Sequence, residues 1–555
     1  MSDKTDVDIS GLTIYESLKN KAEEYKDLTA LEYYGNKISY SSLIEHIDRC
    51  AASMYLHGVR IGMHVAVILP NIPQAVFIFY ACSKLGAVCD LIHPLSAVRE
   101  LESYIASTNP QIVFVYDELP AGITFLSGNV KKAVLVSPSE YLPRMAKLAF
   151  KVKSGVKNPA FIRFETFPEF YKKGNKPIVI NEEDHPIASD PCAMLYTGGT
   201  TGKAKGVLLS SSNFNLNSEA AIESCECLEK GDRFLAVLPI FHGFGLGVCI
   251  HTVLMYGGTS ILLPVFKVRK FIQLIAKYKP AVIAGVPVIF GAIVSGDVKD
   301  MDMSFVKLVI SGGDRLPPDI QDAMNELLSR HGSKAVVRQG YGLTECLSGV
   351  SLMPPGCREH NCIGRPYSNT GFKIIDPDTG NEVPNGTNGE ILISGPSVMV
   401  GYFNEKEENK NTLKLDENGR VWLHTGDMGR IGDNGLLYFE CRIKRMIITN
   451  GYNVYPGVIE DLIRSCHGVS DCAVVGVPDA LRGEIVRAYV VFDKKAEKDG
   501  SFDEALKGVK NELALSVSRF AMPRSFVVLD EIPRTKVGKA DVEALLNMEN
   551  GDAKH

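Results

Sequence analysis

The chain has 555 residues, 45% of them hydrophobic and 23% charged, with a formal net charge of −5. That length exceeds one small core and calls for two or more domains of ordinary globular composition, and the slightly acidic balance gives no reason to expect nucleic-acid binding. Thirteen cysteines without paired spacing, a polar start of mixed charge (Met1-Ser2-Asp3-Lys4) and no apolar run near the roughly 18 residues of a spanning helix point to reduced thiols, a cytoplasmic setting and no integral membrane segment.

From about residue 60, short apolar runs alternate with helical stretches. Val65–Leu69 reads as a strand, residues 72–86 as a helix and Gln111–Val115 as a strand. Residues 141–164 carry Arg144, Lys147, Lys151, Lys153, Lys157 and Arg163 without an acid, interleaved with apolar side chains. Such a segment suits an anionic lipid surface, which would make the protein peripherally membrane-associated, and equally suits a solvated basic connection. Strands are then expected at Phe234–Leu238, Ser260–Leu263, Ala281–Ala284 and Val306–Ile310. The alternation implies parallel sheets flanked by helices. From 371 to 441 the pattern changes to strands separated by turn clusters such as Pro377-Asp378-Thr379-Gly380-Asn381, the mark of hairpins. A smaller mixed unit follows, with strands near Ala473–Val475 and Ala488–Phe492 and a helix near 503–517.

The densest chemistry lies between these elements. Tyr196-Thr197-Gly198-Gly199-Thr200-Thr201-Gly202-Lys203-Ala204-Lys205-Gly206 places four glycines, three threonines and two lysines in eleven residues, directly after the apolar run Ala193–Leu195. Glycines let backbone N–H groups close on an anion, while hydroxyl and ammonium groups add donors and charge. The spacing is not that of a Walker A loop: Thr197 stands where its first glycine belongs and Ala204 where its Ser or Thr belongs.

This loop resembles the signature of the AMP-forming acyl-CoA synthetase superfamily, which also holds amino-acid adenylation domains and firefly-type luciferases. Further motifs match in family order. They are Leu238-Pro239-Ile240-Phe241-His242-Gly243-Phe244-Gly245, Gln339-Gly340-Tyr341-Gly342-Leu343-Thr344-Glu345 and His424-Thr425-Gly426-Asp427. Arg442-Ile443-Lys444 with Gly451-Tyr452-Asn453 and Pro533-Arg534-Thr535-Lys536-Val537-Gly538-Lys539 complete the set. The resemblance implies an α/β fold: a large N-terminal domain, 1–443, of doubly wound sheets plus a β-rich hairpin or barrel-like subdomain, then a small mobile α+β domain, 444–555, with the catalytic lysine. Subdomains are expected at about 1–190, 191–370 and 371–443, with the hinge at Lys444.

The implied reaction has two steps: a carboxylate attacks the α-phosphate of MgATP, giving acyl-AMP and pyrophosphate, and the thiol of coenzyme A then displaces AMP. Adenylation turns the carboxylate oxygen into a good leaving group, and its catalysis calls mainly for positioning and charge neutralisation. By resemblance, Thr197, Gly198, Gly199, Thr200, Thr201, Gly202 and Lys203 hold the β- and γ-phosphates. Thr344 bonds the α-phosphate and Glu345 ligates Mg2+. Tyr341, between Gly340 and Gly342, covers one face of the adenine, with Gly312, Gly313 and Asp314 on the other side. Asp427 binds both ribose hydroxyls and Arg442 lies near ribose or phosphate. Lys539 bridges the substrate carboxylate and nucleotide, and His242 gates the acyl pocket. Gly451 and Tyr452 lie on the coenzyme A side.

Phe244, Gly245 and Val248 are expected to wall the acyl pocket, where Gly243, Gly245 and Gly247 leave space. Space suits an alkyl chain, so a medium- or long-chain fatty acid is the expected substrate; an aryl or arylpropenoic acid is the alternative. A ligase charging a free carrier-protein thiol, a luciferase-like oxygenase and a nucleotide sensor without catalysis are the competing functions. Arg445 departs from the family, where an acidic residue usually follows the hinge lysine.

Overall fold

The computed structural model describes residues 9–117, 130–143, 145–147, 164–179, 185–197, 204–264, 268–296, 298, 301–449, 452–479, 482–493, 502–518, 521–535 and 539–548. The β-branched runs of the first portion form the parallel strands His64–Ile68, Val88–Leu91, Ile112–Tyr116 and Ala133–Val136. They are buried almost end to end, as strands of a parallel sheet are when helices cover both faces. The helix Pro73–Lys84 begins with its proline in the first turn and buries nearly its whole circumference. Pro191–Tyr196 extends this sheet beside Val88–Leu91, and Gly206–Ser210 returns antiparallel to it with Gly206 opposite Tyr196. The glycine-rich loop therefore joins two antiparallel strands.

A second sheet, fourteen-stranded among the described residues, changes character midway. Thr29–Tyr33, Thr259–Leu262, Arg233–Ala236, Val282–Gly285, Leu308–Ser311 and Val337–Gly342 are parallel neighbours. Beyond Val337–Gly342 the pairing becomes antiparallel through Gly349–Leu352, Cys362–Pro366, Leu437–Arg442, Val421–Ile431, Gly389–Ser394 and Gly371–Ile375. The carboxyl ends of parallel strands next to such a change are where open α/β sheets bind ligands. A third sheet holds Ile447–Thr449, Tyr452–Val454, Val469–Asp479, Gly483–Phe492 and Ser525–Val528. Its apolar core takes in Ile459, Ile463, Val474, Val490, Val509 and Leu513, joining strands to the helices Pro456–Ser465 and Phe502–Ser516. The fold is thus mixed α/β, a large N-terminal region of sheets followed by a small C-terminal domain.

The sheets divide the chain differently from the expected subdomains. Thr29–Tyr33 and Asn36–Ser39 join the sheet of residues 233–342, Pro191–Tyr196 and Gly206–Ser210 join that of residues 64–166, and the hairpins after 371 extend the larger sheet. Strand pairing satisfies backbone hydrogen bonds across long chain separations, which composition along the chain does not record. Of the basic segment, residues 144 and 148–163 lie outside the described residues. Among the described residues no helix is long and apolar enough to cross a membrane.

Candidate active site

The carboxyl end of Val337–Gly342 carries Tyr341, whose hydroxyl donates to Asp427 Oδ2 at 2.7 Å. Cross-strand register sets Arg442 opposite Asp427, with Nε 3.0 Å from Oδ1. Asp427 is only 1% exposed, so burial pushes its carboxyl above the ordinary value, against the pull of Arg442, the Tyr341 hydroxyl and Lys539. The result is a desolvated carboxylate that accepts from the Tyr341 hydroxyl through Oδ2 and pairs by charge with Arg442 through Oδ1, beside an aromatic ring bordered by Phe372 and Phe439 at centroid distances of 6.4 and 6.2 Å.

Thr344 and Glu345 occupy a short 3-10 turn that ends at Leu347, whose φ of 67° and ψ of −60° store local strain. Two glycines make that turn possible. A Cβ on Gly342 would lie 1.5 Å from Ser348 O, and one on Gly243 the same distance from Leu347 O. The Glu345 carboxylate accepts from the Tyr402 hydroxyl at 2.8 Å, and the Lys205 ammonium stands 4.8 Å over the Tyr402 ring while pairing with Glu408. Thr197 and Lys205 clasp the base of the glycine-rich loop: Thr197 N–H donates to Lys205 O at 3.0 Å, and Lys205 N–H to Thr197 Oγ1 at 3.2 Å. Gly198, Gly199, Thr200, Thr201, Gly202 and Lys203 lie outside the described residues.

Phe244 opens a π-helix, Phe244–Thr252, buried throughout. Such helices are rare and frequent at functional sites. The Phe244 ring lies against Gly312, where a Cβ would come within 3.0 Å of it and 3.5 Å of Gly340 O, so three elements meet there. Gly313 has φ of +81°, and the Asp314 carboxylate accepts from Arg315 N–H at 2.9 Å. His242 Nδ1 accepts from Phe244 N–H at 3.2 Å, which leaves the proton of the neutral ring on Nε2. Burial, reinforced by the Lys539 charge, lowers the His242 pKa to about 4, so the ring is neutral at physiological pH.

The space expected around the glycines after His242 is taken up by their neighbours. Gly245 does not leave space: a Cβ there would lie 2.0 Å from Pro239 O, and one on Gly247 3.0 Å from Ser348 Oγ. These glycines admit neighbouring backbone and side chain, so the chain's only internal argument for a roomy tunnel falls away.

Residues 18–403 match the family of AMP-binding enzymes, and residues 458–539 match the AMP-binding enzyme C-terminal domain. The chain belongs to the AMP-binding enzymes. It is 30% identical to the long-chain-fatty-acid–CoA ligase of Bacillus subtilis (strain 168), over 97% of this chain and 94% of that one. It is 29% identical to a feruloyl-CoA synthase of Amycolatopsis sp, over 92% of this chain and 94% of the relative. Among solved structures, ATP-bound MatB from Rhodopseudomonas palustris superposes with a TM-score of 0.82 at 28% identity, covering 96% of this chain and 98% of that one. Within the family the chain is an AMP-forming acid–CoA ligase.

For this family member, the structure brings Tyr341, Asp427 and Arg442 into contact, the Lys539 charge acts on both Asp427 and His242, and Thr344 and Glu345 follow the strand end that carries Tyr341. Lys444 is exposed in the 3-10 turn Ile443–Arg445. Tyr452 begins a strand, and Gly451 lies outside the described residues. Sequence reasoning missed Tyr402 and the pair Glu390–His424. Glu390 holds His424 Nδ1 at 3.1 Å and accepts from Gly426 N–H at 3.1 Å, fixing the strand that presents Asp427. The Gly401-Tyr402 dipeptide was the available signal; nothing local ties it to a glutamate 57 positions away.

Proposed function

We propose that this ligase activates a medium- or long-chain fatty acid as acyl-AMP with release of pyrophosphate, then passes the acyl group to coenzyme A. The observation that carries the reading is the meeting of Asp427, Tyr341 and Arg442, with the Lys539 charge acting on both Asp427 and His242. Asp427 accepts the ribose hydroxyls through its remaining lone pairs. Thr344 bonds the α-phosphate, residues 197–203 hold the departing pyrophosphate, and Tyr341 with Gly312–Asp314 encloses the adenine. Lys539 neutralises charge between carboxylate and phosphate, and neutral His242 donates from Nε2 toward the acyl group. Mg2+ fits the donor set: Glu345 is a hard oxygen ligand steadied by Tyr402 beside the phosphate loop, and this ion needs few protein ligands when substrate phosphates supply others. When bound it would supply charge neutralisation on those phosphates.

Lys444 serves as hinge between residues 1–443 and 444–555, and Gly451 with Tyr452 lies toward coenzyme A. The alkyl substrate is supported by the Bacillus subtilis relative and by the apolar character of Phe244 and Val248. A second reading, an arylpropenoic acid, has support from the feruloyl-CoA synthase relative. Acid-dependent ATP–pyrophosphate exchange, run across short to long alkyl acids and cinnamic acids, separates them. Best turnover with long alkyl acids supports the first reading; best turnover with cinnamic acids replaces it.

A further inference from the structure

Alternating charges lead from the nucleotide-binding loop to the loop that carries Lys539. Arg315 follows Gly312-Gly313-Asp314 directly and reaches across to the helix Pro456–Ser465. Its Nη2 lies 2.5 Å from Asp461 Oδ2, its Nη1 donates to Gly457 O at 2.7 Å and its Nε donates to Asn361 Oδ1 at 2.9 Å. A Cβ on Gly457 would stand 2.8 Å from Nη1, so the absence of a side chain there admits the guanidinium. Asp461 Oδ1 lies 3.8 Å from Arg464 Nη1, and Arg464 Nη2 lies 3.9 Å from Asp471 Oδ1. Asp471 Oδ2 in turn pairs with Arg534 at 2.5 Å. Arg534 bridges backbone to backbone with Ala540; Thr535 N–H donates to Lys539 O at 2.7 Å and Lys539 N–H to Thr535 Oγ1 at 3.3 Å.

The first link is the strongest. The Arg315 and Asp461 side chains are 14% and 20% exposed, so solvent screens them less than a surface pair, and the planar fork adds directional hydrogen bonds. The links at 3.8 and 3.9 Å orient the rest by charge alone.

We propose that Arg315 is a positioning residue for the adenylating half-reaction. It fastens the small domain to the loop that seats the base, and so holds Lys539 at the reacting centre without touching substrate. The proposal rests on the reading that Lys539 serves the first step. A base resting on Gly312–Asp314 orders the backbone from which Arg315 projects, so ATP binding and small-domain docking favour each other.

Three variants of the full-length protein test this: Arg315→Met, Arg315→Lys and Asp461→Asn. Arg315→Met and Asp461→Asn should each slow ATP–pyrophosphate exchange by about 10- to 100-fold, the scale of an ordinary coupling between sites. Thioester formation from supplied acyl-adenylate and coenzyme A should stay within about twofold, because that coupling is not then used. The double variant should be no slower than the slower single one, and Arg315→Lys should recover part of the loss. Equal loss of both half-reactions, or multiplying effects, would overturn the proposal. Hydrogen exchange reads the coupling without turnover: ATP should protect the backbone around Arg534–Ala540 in the parent and not in Arg315→Met. Equal protection in both, or none in the parent, also overturns it. A parent that is protected by ATP yet catalyses neither half-reaction would sink the catalytic reading and uphold the coupling.

Discussion

In the strands Val282–Gly285 and Leu308–Ser311 every residue is buried among apolar neighbours, whereas the seam against the small domain is lined by Arg315, Asp461, Asp427, Arg442 and Lys539. Even a buried cation of the interior, Arg338, is satisfied by main chain: it donates to carbonyls of Met353, Ser224 and Cys225 at 2.5, 2.8 and 3.3 Å. Separating apolar faces costs about 25 cal/mol for each Å² returned to water, without any compensating partner. Separated ion pairs recover hydration, and the net cost of parting them is small. A domain that must dock for one step and leave for the next is better held by the second kind of contact. On the proposed reading, in which the small domain docks for one step and leaves for the next, the interior carries stability and the seam carries timing.

The largest effect expected separates the two. Phe114→Ala, which empties the space beside Phe170 (5.2 Å between rings, edge to face), should cost about 3–5 kcal/mol of folding stability. Denaturant unfolding checks this, and both half-reactions should fall only as far as the folded fraction does. Lys539→Ala should do the reverse. The melting temperature should hold while adenylation drops about 100- to 1000-fold, the usual scale for one charge-stabilising donor. Acyl transfer from supplied acyl-adenylate should largely survive; equal loss of both steps would show that Lys539 is not confined to the first.

The interior was far more legible in the sequence than the seam. Strand runs such as Val65–Leu69 and Val306–Ile310 shift by only one or two residues at their ends, because a buried parallel strand writes its burial into consecutive residues. Motif residues were also readable one by one. Their contacts were not: Tyr341 meets Asp427 across 86 positions, and Arg315 meets Asp461 across 146. The glycines after His242 show the same limit. Their positions stood out, but whether a missing side chain means space or close contact depends on what faces it. Arg445, odd against its family, finds its reason in Glu460, 3.0 Å away.

Asp427→Ala should weaken ATP binding by about 2–3 kcal/mol, since a charged acceptor of ribose hydroxyls is lost. An unchanged Michaelis constant for ATP in a folded variant would demote Asp427 to a partner of Tyr341. The interior has its own pH signature. Burial lowers His251 to about 3 and His46 to about 4, and His242 likewise to about 4, each from an ordinary 6.5. Below that ordinary value the unfolded chain takes up protons that the folded chain refuses, so stability falls as pH drops from 6.5 toward 4. Glu140, pushed up to about 7 by burial, works in the opposite sense, as do Asp90, Asp427 and Asp461, whose carboxyls burial also raises. The histidines' share of the melting temperature should therefore decline from pH 7 to pH 5. Replacing both members of the Tyr80–His251 pair, by Tyr80→Phe with His251→Leu, should shallow that decline while changing little at pH 8. An unaltered slope would mean that His251 does not set it.

The smallest expected effect is the sharpest control on the seam. Arg445 and Arg315 both pair with the helix Pro456–Ser465, through the adjacent residues Glu460 and Asp461. Arg445 follows Lys444, so if the hinge lies there, Arg445 travels with the helix and its ion pair survives domain rotation. Arg315 belongs to the other side, and its pair must break. Arg445 is 36% exposed, and Glu460 keeps a second donor, Val474 N–H at 2.9 Å, when the guanidinium is removed. Arg445→Gln should therefore cost under about 1 kcal/mol of stability, as partly exposed pairs do. Above all, it should leave the ratio of the two half-reaction rates where the parent has it. Should Arg445→Gln instead slow adenylation alone, as expected of Arg315→Met, the hinge lies elsewhere. The contrast between a pair carried within one domain and a pair spanning two would then fail.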